Sequence, residues 1–102
     1  MVSVNTRLRA ELWTSWASLL RSYTAAHGLN SRHHAFVEVG KEEITVRVAG
    51  RWQRFTYEMI EDNEGHRSSF SLEEDGTVKL NGKTQEMDLA AENLAREMMH
   101  SE

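Results

Sequence analysis

Hydrophobic residues near the start of the chain recur at spacings of three and four, which predicts a long helix with one apolar stripe. The stripe consists of Leu8, Leu12, Trp16, Leu19, Leu20 and Tyr23. Asn5 or Thr6 is suited to cap the start of this helix, and Gly28 is suited to end it. Trp13 lies just off the stripe, so we expect it at the edge, and we expect Leu29 to fold back on the last turn.

Residues 34–80 instead alternate between apolar and polar positions, which predicts five short strands after a loop at 30–33. The predicted turns are 40–43, 50–51, 61–65 and 74–76, each containing glycine. If residue 39 faces 44, then residue 37 faces 46 and 35 faces 48, which places six apolar side chains on one face. A turn at 50–51 pairs Ala49 with Trp52 and Arg47 with Arg54.

A second helical stripe closes the chain, and Thr84 is suited to cap its helix. The stripe consists of Met87, Ala90, Ala91, Leu94, Ala95 and Met98. Both helices have one apolar stripe, and every predicted hairpin agrees on one inner sheet face that continues through Phe55, Tyr57 and Met59. We therefore predict a single α+β domain over residues 1–102. It has two layers, a five-stranded antiparallel meander and both helices on one sheet face.

The opposite sheet face carries two aromatic residues and two arginines in one corner. The predicted registers place Phe36, Arg47 and Arg54 in one row and His34, Ala49 and Trp52 in the next. Aromatic residues and arginine are enriched where protein partners bind. The sequence therefore predicts an interaction surface that consists of His34, Phe36, Arg47, Trp52 and Arg54.

Several interpretations of this surface are open. It is a homodimer face, a docking face for another protein or a site for an acidic ligand. Alternatively, the aromatic rings cover the arginine stems without any partner. A bulge near Gln53 would instead turn Trp52 into the core. Binding of nucleic acid is disfavoured because the whole chain is acidic and has no matching motif.

Composition narrows the function classes. The 102 residues include no cysteine, which excludes disulfides, thiolate zinc sites and thiol nucleophiles. The net charge is −4, but residues 1–57 hold eight Arg or Lys against four Glu, and residues 58–102 hold four against twelve acids. Such asymmetry is compatible with self-association. No signal peptide and no apolar stretch near the ~20 residues of a membrane span are visible. We therefore predict a cytoplasmic and bacterial protein with no membrane contact.

The residues give no motif for catalysis, metal binding or a cofactor. The five histidines are His27, His33, His34, His66 and His100. His33 and His34 are adjacent, so on a strand they would point to opposite faces and would not chelate together. The acidic loops lack calcium-binding spacing, and no glycine-rich phosphate motif is present. A hydrolase that uses His66 with a strand serine is the weakest alternative. We predict a non-enzymatic protein without metal or cofactor.

The order of one helix, five strands and one helix resembles the topology of frataxins. That resemblance implies a metal-binding or small-molecule-binding protein, although the first helix here carries Arg7, Arg9 and Arg21 where frataxins have acids for iron. The acidic chain with terminal helices also resembles bacterial secretion chaperones, which usually have an extra helix between strands. The leading hypothesis is an interaction or accessory protein that acts through the outer sheet face as a homodimer. The runner-up is a small-molecule or metal binder with a cleft between helix and sheet, around Trp13, Trp16 and Tyr57.

Overall fold

The computed structural model describes residues 4–29 and 34–100 and contains two helices and seven strands. They are α1 (Val4–Gly28), β1 (Ala35–Val39), β2 (Ile44–Val48), β3 (Arg51–Phe55), β4 (Met59–Asp62), β5 (Arg67–Leu72), β6 (Thr77–Leu80), β7 (Lys83–Glu86) and α2 (Met87–His100). All strand pairs are antiparallel, and the order in the sheet follows the order in the chain. The α+β class, the terminal helices and the antiparallel sheet agree with the prediction. The predicted number of five strands is wrong.

The predicted third strand is divided into β3 and β4 by a tight turn. The N–H of Thr56 donates to the carbonyl of Met59 at 2.8 Å, which leaves Tyr57 and Glu58 as a two-residue loop. The Thr56 hydroxyl also accepts from the N–H of Glu58 at 3.2 Å and of Met59 at 3.0 Å. This turn reverses the chain and changes the parity of the following residues. Ile60 therefore packs against the core, where Met59 was predicted.

The other additional strand is β7. Asn81 and Gly82 have φ values of 51° and 84°, the left-handed conformation that a two-residue hairpin of the Asn-Gly type requires. The chain therefore turns back beside β6 before α2 begins at Met87. Thr84 lies within β7, so the prediction that it caps the second helix is wrong.

The β1–β2 register agrees with the predicted pairs of 35 with 48, 37 with 46 and 39 with 44. The β2–β3 register differs by two residues, because Val48 pairs with Arg51 and the loop consists of Ala49 and Gly50. A shift of two residues leaves every side chain on its predicted face, since the side-chain period of a strand is two. Five consecutive pairs join β2 and β3 without a bulge, so Trp52 stays on the outer face.

The core lies between the helices and the inner face of the sheet. Trp16 of α1 is fully buried and lies against Phe55 and Phe70, with ring centroids 5.5 Å and 5.4 Å away. Trp13, which the sequence places at the edge of the apolar stripe, is only 4% exposed and belongs to the core. Its ring stacks on Tyr57 with centroids 4.4 Å apart. The core residues of α2 include every member of its predicted stripe, with Leu94 partly buried.

The helices also contact each other. The Tyr23 hydroxyl of α1 donates to Asp88 Oδ1 of α2 at 2.7 Å, which raises the pKa of the tyrosine.

Within the described ranges, neither helix is long and apolar enough to cross a membrane. The predicted loop at 30–33 and the side chains of Asn5, Thr6 and His100 lie outside the described residues.

Candidate interaction surface

An aromatic and arginine row crosses the outer face of the sheet. Phe36 of β1 pairs with Arg47 of β2, and Arg47 pairs with Trp52 of β3. The outer-face row, as we call these three residues, replaces the predicted row of Phe36, Arg47 and Arg54. The reason is the turn at Ala49 and Gly50, which moves β3 by two residues along β2.

Arg54 lies in the neighbouring row, between Thr45 of β2 and Glu61 of β4. Its guanidinium carbon lies 4.8 Å from the centroid of the Trp52 ring, a cation–π contact. It also forms ion pairs with Glu43 at 3.8 Å and Glu61 at 3.7 Å. Arg54 is therefore held in place by an aromatic ring and two carboxylates, and the buried Thr45 lies on the strand beside it.

Most charges of the outer face are compensated within the chain. Arg47 Nε donates to Glu38 Oε1 at 2.6 Å, and Arg67 Nε donates to Glu61 Oε2 at 3.1 Å. Together with Arg54, three arginines meet three glutamates across the first five strands. Exposed ion pairs of this kind contribute only about 0–1 kcal/mol each to stability. Their effect here is to make the face nearly neutral.

The aromatic residues of the row differ in exposure. Trp52 is half-buried under its arginine contact, whereas Phe36 is 67% exposed. Of the two alternatives that the sequence left open for Trp52, the bulge near Gln53 is absent from β3, and the ring does contact an arginine, Arg54. Phe36 has no such explanation, because Arg47 turns toward Glu38.

His34 is not part of this row. It precedes β1 and lines a groove of about 310 Å³ between β1 and the C-terminal part of α1. Ala35 and Val37 line the same groove from β1, and Leu29 lines it from the end of the helix. Leu29 is 85% exposed, so the expectation that it folds back on the helix is wrong. The structure thus brings four of the five predicted surface residues together and separates His34 from them.

In the part of the chain that the structure describes, two other histidines have acidic neighbours. The Nδ1 of His66 lies 3.1 Å from Asp62 Oδ2, and the His27 ring lies 3.9 Å from Glu92. Partial burial would raise the pKa of Asp62, but bonds from the N–H groups of His66 and Glu64 and from the His66 ring outweigh it and lower the pKa. Among the described residues, no three His, Asp or Glu side chains converge as metal ligands.

The residues of the predicted ligand cleft fill the space between helix and sheet. Trp13 Nε1 donates to the carbonyl of Gly40 at 3.0 Å, and its ring lies on Tyr57, while Trp16 is enclosed by the core. A larger groove of about 960 Å³ lies elsewhere, between the first turns of α1 and the β5–β6 hairpin. Its lining includes Leu12, Leu72 and the acidic residues Glu73, Glu74 and Asp75.

Sequence reasoning placed Glu61 in a loop and so missed its role in the charge network. The signal that could have found it is Thr56, whose hydroxyl favours a turn and moves residues 59–62 into a strand. The place of Leu29 in the groove was also missed, because the sequence does not indicate where the chain runs between α1 and β1.

The comparisons with known proteins add no relative. No protein-family model matches the chain, and neither a curated protein nor a solved structure matches it. The seven strands observed here also differ from the five on which the topological resemblance to frataxins was based.

Proposed function

We propose that this protein is a small, non-enzymatic interaction protein that forms a homodimer and uses the outer face of its sheet for protein contact. The row of Phe36, Arg47 and Trp52 is the centre of that surface, and Arg54 supports it from the neighbouring row. A cytoplasmic location fits this role and stays a prediction.

One observation supports the proposal most strongly. Phe36 presents 67% of its surface to solvent on the outer face of the sheet. Scattered exposed apolar residues are ordinary, but an exposed phenylalanine in line with an arginine and a tryptophan is typical of protein interfaces. Covering this ring would contribute roughly 2 kcal/mol to binding, from about 25 cal/mol per Å² of apolar surface removed from water.

The charge balance indicates the kind of partner. Arg47, Arg54 and Arg67 are all paired with glutamates, so few cations on this face are available for a polyanion. Binding that neutralises phosphates loses affinity steeply as salt increases. The paired arginines therefore favour a protein partner over a nucleic acid. We expect self-association to change little between low and moderate salt.

Solution mass tests the proposal. Light scattering over a wide concentration range would compare the wild type with the Phe36→Ala, Trp52→Ala double variant. Leu89→Ala is the matched control, because Leu89 is 52% exposed on α2 and lies away from the sheet face. We expect a wild-type dimer that the double variant weakens and the control retains. Near-ultraviolet circular dichroism checks that each variant is folded.

A dimer that persists unchanged in the double variant would refute self-association through Phe36 and Trp52. A wild type that is monomeric at every concentration would refute the homodimer. In that case a heterologous protein remains as the only partner for the face, and the same double variant tests its binding.

A further inference from the structure

The free edge of β1 is exposed, and its sequence is unusual for an edge. β1 is the first strand of the sheet and pairs with β2 on one side only in the part of the chain that the structure describes. Natural edge strands are protected from pairing with other chains by lysine, proline, bulges or short length. β1 has the sequence Ala-Phe-Val-Glu-Val, with neither lysine nor proline. Its one charged residue, Glu38, is paired with Arg47, and its five pairs with β2 contain no bulge.

The opposite edge of the sheet provides a comparison within the same chain. β7 has the sequence Lys-Thr-Gln-Glu, with a charge at each end and no apolar residue. Such a strand is protected in the usual way, by charged and polar side chains. The contrast between the two edges indicates that β1, and not β7, is built to accept another strand.

The hydrogen-bonding groups on the free edge can be assigned from the β1–β2 hairpin. The N–H of Gly40 donates to the carbonyl of Glu43 at 2.8 Å, so this pair is hydrogen-bonded. Bonded and non-bonded pairs alternate along an antiparallel ladder. Phe36 and Glu38 therefore direct their backbone groups toward β2. The residues that direct their N–H and C=O groups toward the free edge are Ala35, Val37 and Val39.

We propose that a second copy of this chain pairs antiparallel with β1 about a two-fold axis at Val37, which joins the two sheets into one. This inference rests on the homodimer proposed above, and it places the contact between the two copies at the β1 edge beside Phe36 rather than across the row to Trp52. The axis pairs Val37 with Val37 of the second copy, and Ala35 with Val39 in both directions. These are hydrogen-bonded pairs, and each provides two backbone bonds.

The side chains of β1 are complementary to themselves in this register. Ala35, Val37 and Val39 share the inner face, so pairing extends the apolar row of the core and covers Val39, which is 42% exposed in the single chain. On the outer face, Phe36 lies opposite Glu38 of the second copy. Each Glu38 keeps its own Arg47 at 2.6 Å, so pairing introduces no unpaired carboxylate.

The surface beside the β1 edge provides additional contact area for a second copy of the chain. A five-residue ladder alone covers less than the roughly 1,600 Å² of a standard interface. The groove between α1 and β1 adds to it, and it includes the apolar side chain of Leu29, which is 85% exposed. A second copy on the edge would bring its own Leu29 and groove to the same axis, since both copies place α1 on the inner face.

Cysteine cross-linking tests the register, because the chain has no native cysteine. Val37→Cys should form a disulfide-linked dimer on mild oxidation, since directly opposed residues place their Cα atoms about 5.5 Å apart, within disulfide range. Ala35→Cys alone should not, but a mixture of Ala35→Cys and Val39→Cys should. Thr84→Cys on β7 is the control for chance collision.

Proline tests the hydrogen bonds of the edge. Ala35→Pro removes an N–H that faces the free edge, at the first residue of the strand, where proline is tolerated. It should weaken the dimer by roughly ten- to thirtyfold, from two lost bonds per dimer. Thr84→Pro, the same type of change on the edge of β7, should leave the dimer unchanged. Circular dichroism confirms folding in both.

The outcomes distinguish this inference from the function proposed above. A dimer weakened by Ala35→Pro but not by Trp52→Ala supports the β1 edge, because Trp52 lies two strands away. A dimer weakened by Trp52→Ala but not by Ala35→Pro, with no Val37→Cys cross-link, overturns the edge and leaves contact through the outer face. A monomeric wild type overturns the edge and the homodimer. Equal weakening by Thr84→Pro also overturns the edge.

Discussion

The turn between β2 and β3 holds an alanine in a conformation that favours glycine. Ala49 has a φ of 57°, where an L residue with a Cβ atom costs about 1–2 kcal/mol. Glycine removes that cost but is about 0.5–1 kcal/mol more flexible in the unfolded chain. The difference predicts that Ala49→Gly raises the free energy of unfolding by roughly 0.5–1 kcal/mol. For a domain of this size, that corresponds to an increase in Tm of about 4 °C.

Urea unfolding followed by tryptophan fluorescence measures the change in free energy. Ala10→Gly is the matched control, because Ala10 is exposed in the interior of α1 and the same substitution in a helix interior lowers stability by about 1 kcal/mol. The two variants should therefore differ in sign. If both variants are destabilised, Ala49 is not strained. That result would contradict a loop at Ala49 and Gly50 and would favour the loop at Gly50 and Arg51 that the sequence predicts.

Three further predictions test other parts of the fold with the same unfolding assay. Gly82→Ala should lower the free energy of unfolding by about 1–2 kcal/mol, because its φ of 84° strains a residue with a Cβ atom. Gly50→Ala should change it by less than about 1 kcal/mol, because Gly50 has no positive φ and a new Cβ has open space at both positions. Equal effects would contradict the hairpin that forms β7. Trp13→Phe should cost about 1–3 kcal/mol, since the ring still stacks but the Gly40 carbonyl loses its donor; an unchanged stability would show that water replaces the indole. The folded pKa of Asp62 is lowered, so its ionised form stabilises the protein above the unfolded pKa of about 3.9, and this contribution disappears as the pH falls through the folded pKa. Asp62→Asn should therefore be less stable than the wild type near pH 7, with a difference that shrinks below about pH 4, and a difference independent of pH would contradict this reasoning.

The helices and the faces of the first strands were predictable because they follow from periodicity. The stripe from Leu8 to Tyr23 and the alternation from Ala35 to Val48 each repeat many times, so a single irregular residue does not change the assignment. The three-residue loop with Gly76 in the left-handed conformation was also predictable, since its φ of 87° requires glycine.

The two missed strands have a common physical reason, which is local turn chemistry. Apolar alternation continues through Tyr57 and Met59 in the sequence, and only the Thr56 hydroxyl indicates that the chain turns there. Likewise, Asn81 and Gly82 are a strong hairpin signal, but the polar strand after them has no apolar alternation. Turns set the register, and periodicity alone does not.

In the candidate surface, too, periodicity predicted the faces of the residues and the turns decided their neighbours. Parity correctly assigned Phe36, Arg47, Trp52 and Arg54 to one face, but which of them are neighbours depended on the β2–β3 turn. The ion pair between Arg47 and Glu38 depends on side-chain geometry, and the pair between Arg54 and Glu61 depends on β4. Neither pair follows from spacing in the sequence.

The two proposed contacts are geometrically compatible, and together they suggest why Trp52 and Phe36 differ in exposure. Pairing along β1 would place the Phe36 rings of both copies near the two-fold axis, where Glu38 of the opposite chain partly covers each ring. Trp52 would then lie two strands away on either side, on one outer face continuous across both copies. Because a two-fold dimer repeats the row of Phe36, Arg47 and Trp52 with opposite direction, it presents two equivalent sites on one surface. A partner with two matching sites would gain from both at once, since the second contact forms at a high effective concentration. The Ala35→Pro variant should therefore lose the extra affinity for such a partner, because it weakens the dimer, and it should keep the affinity of each single site.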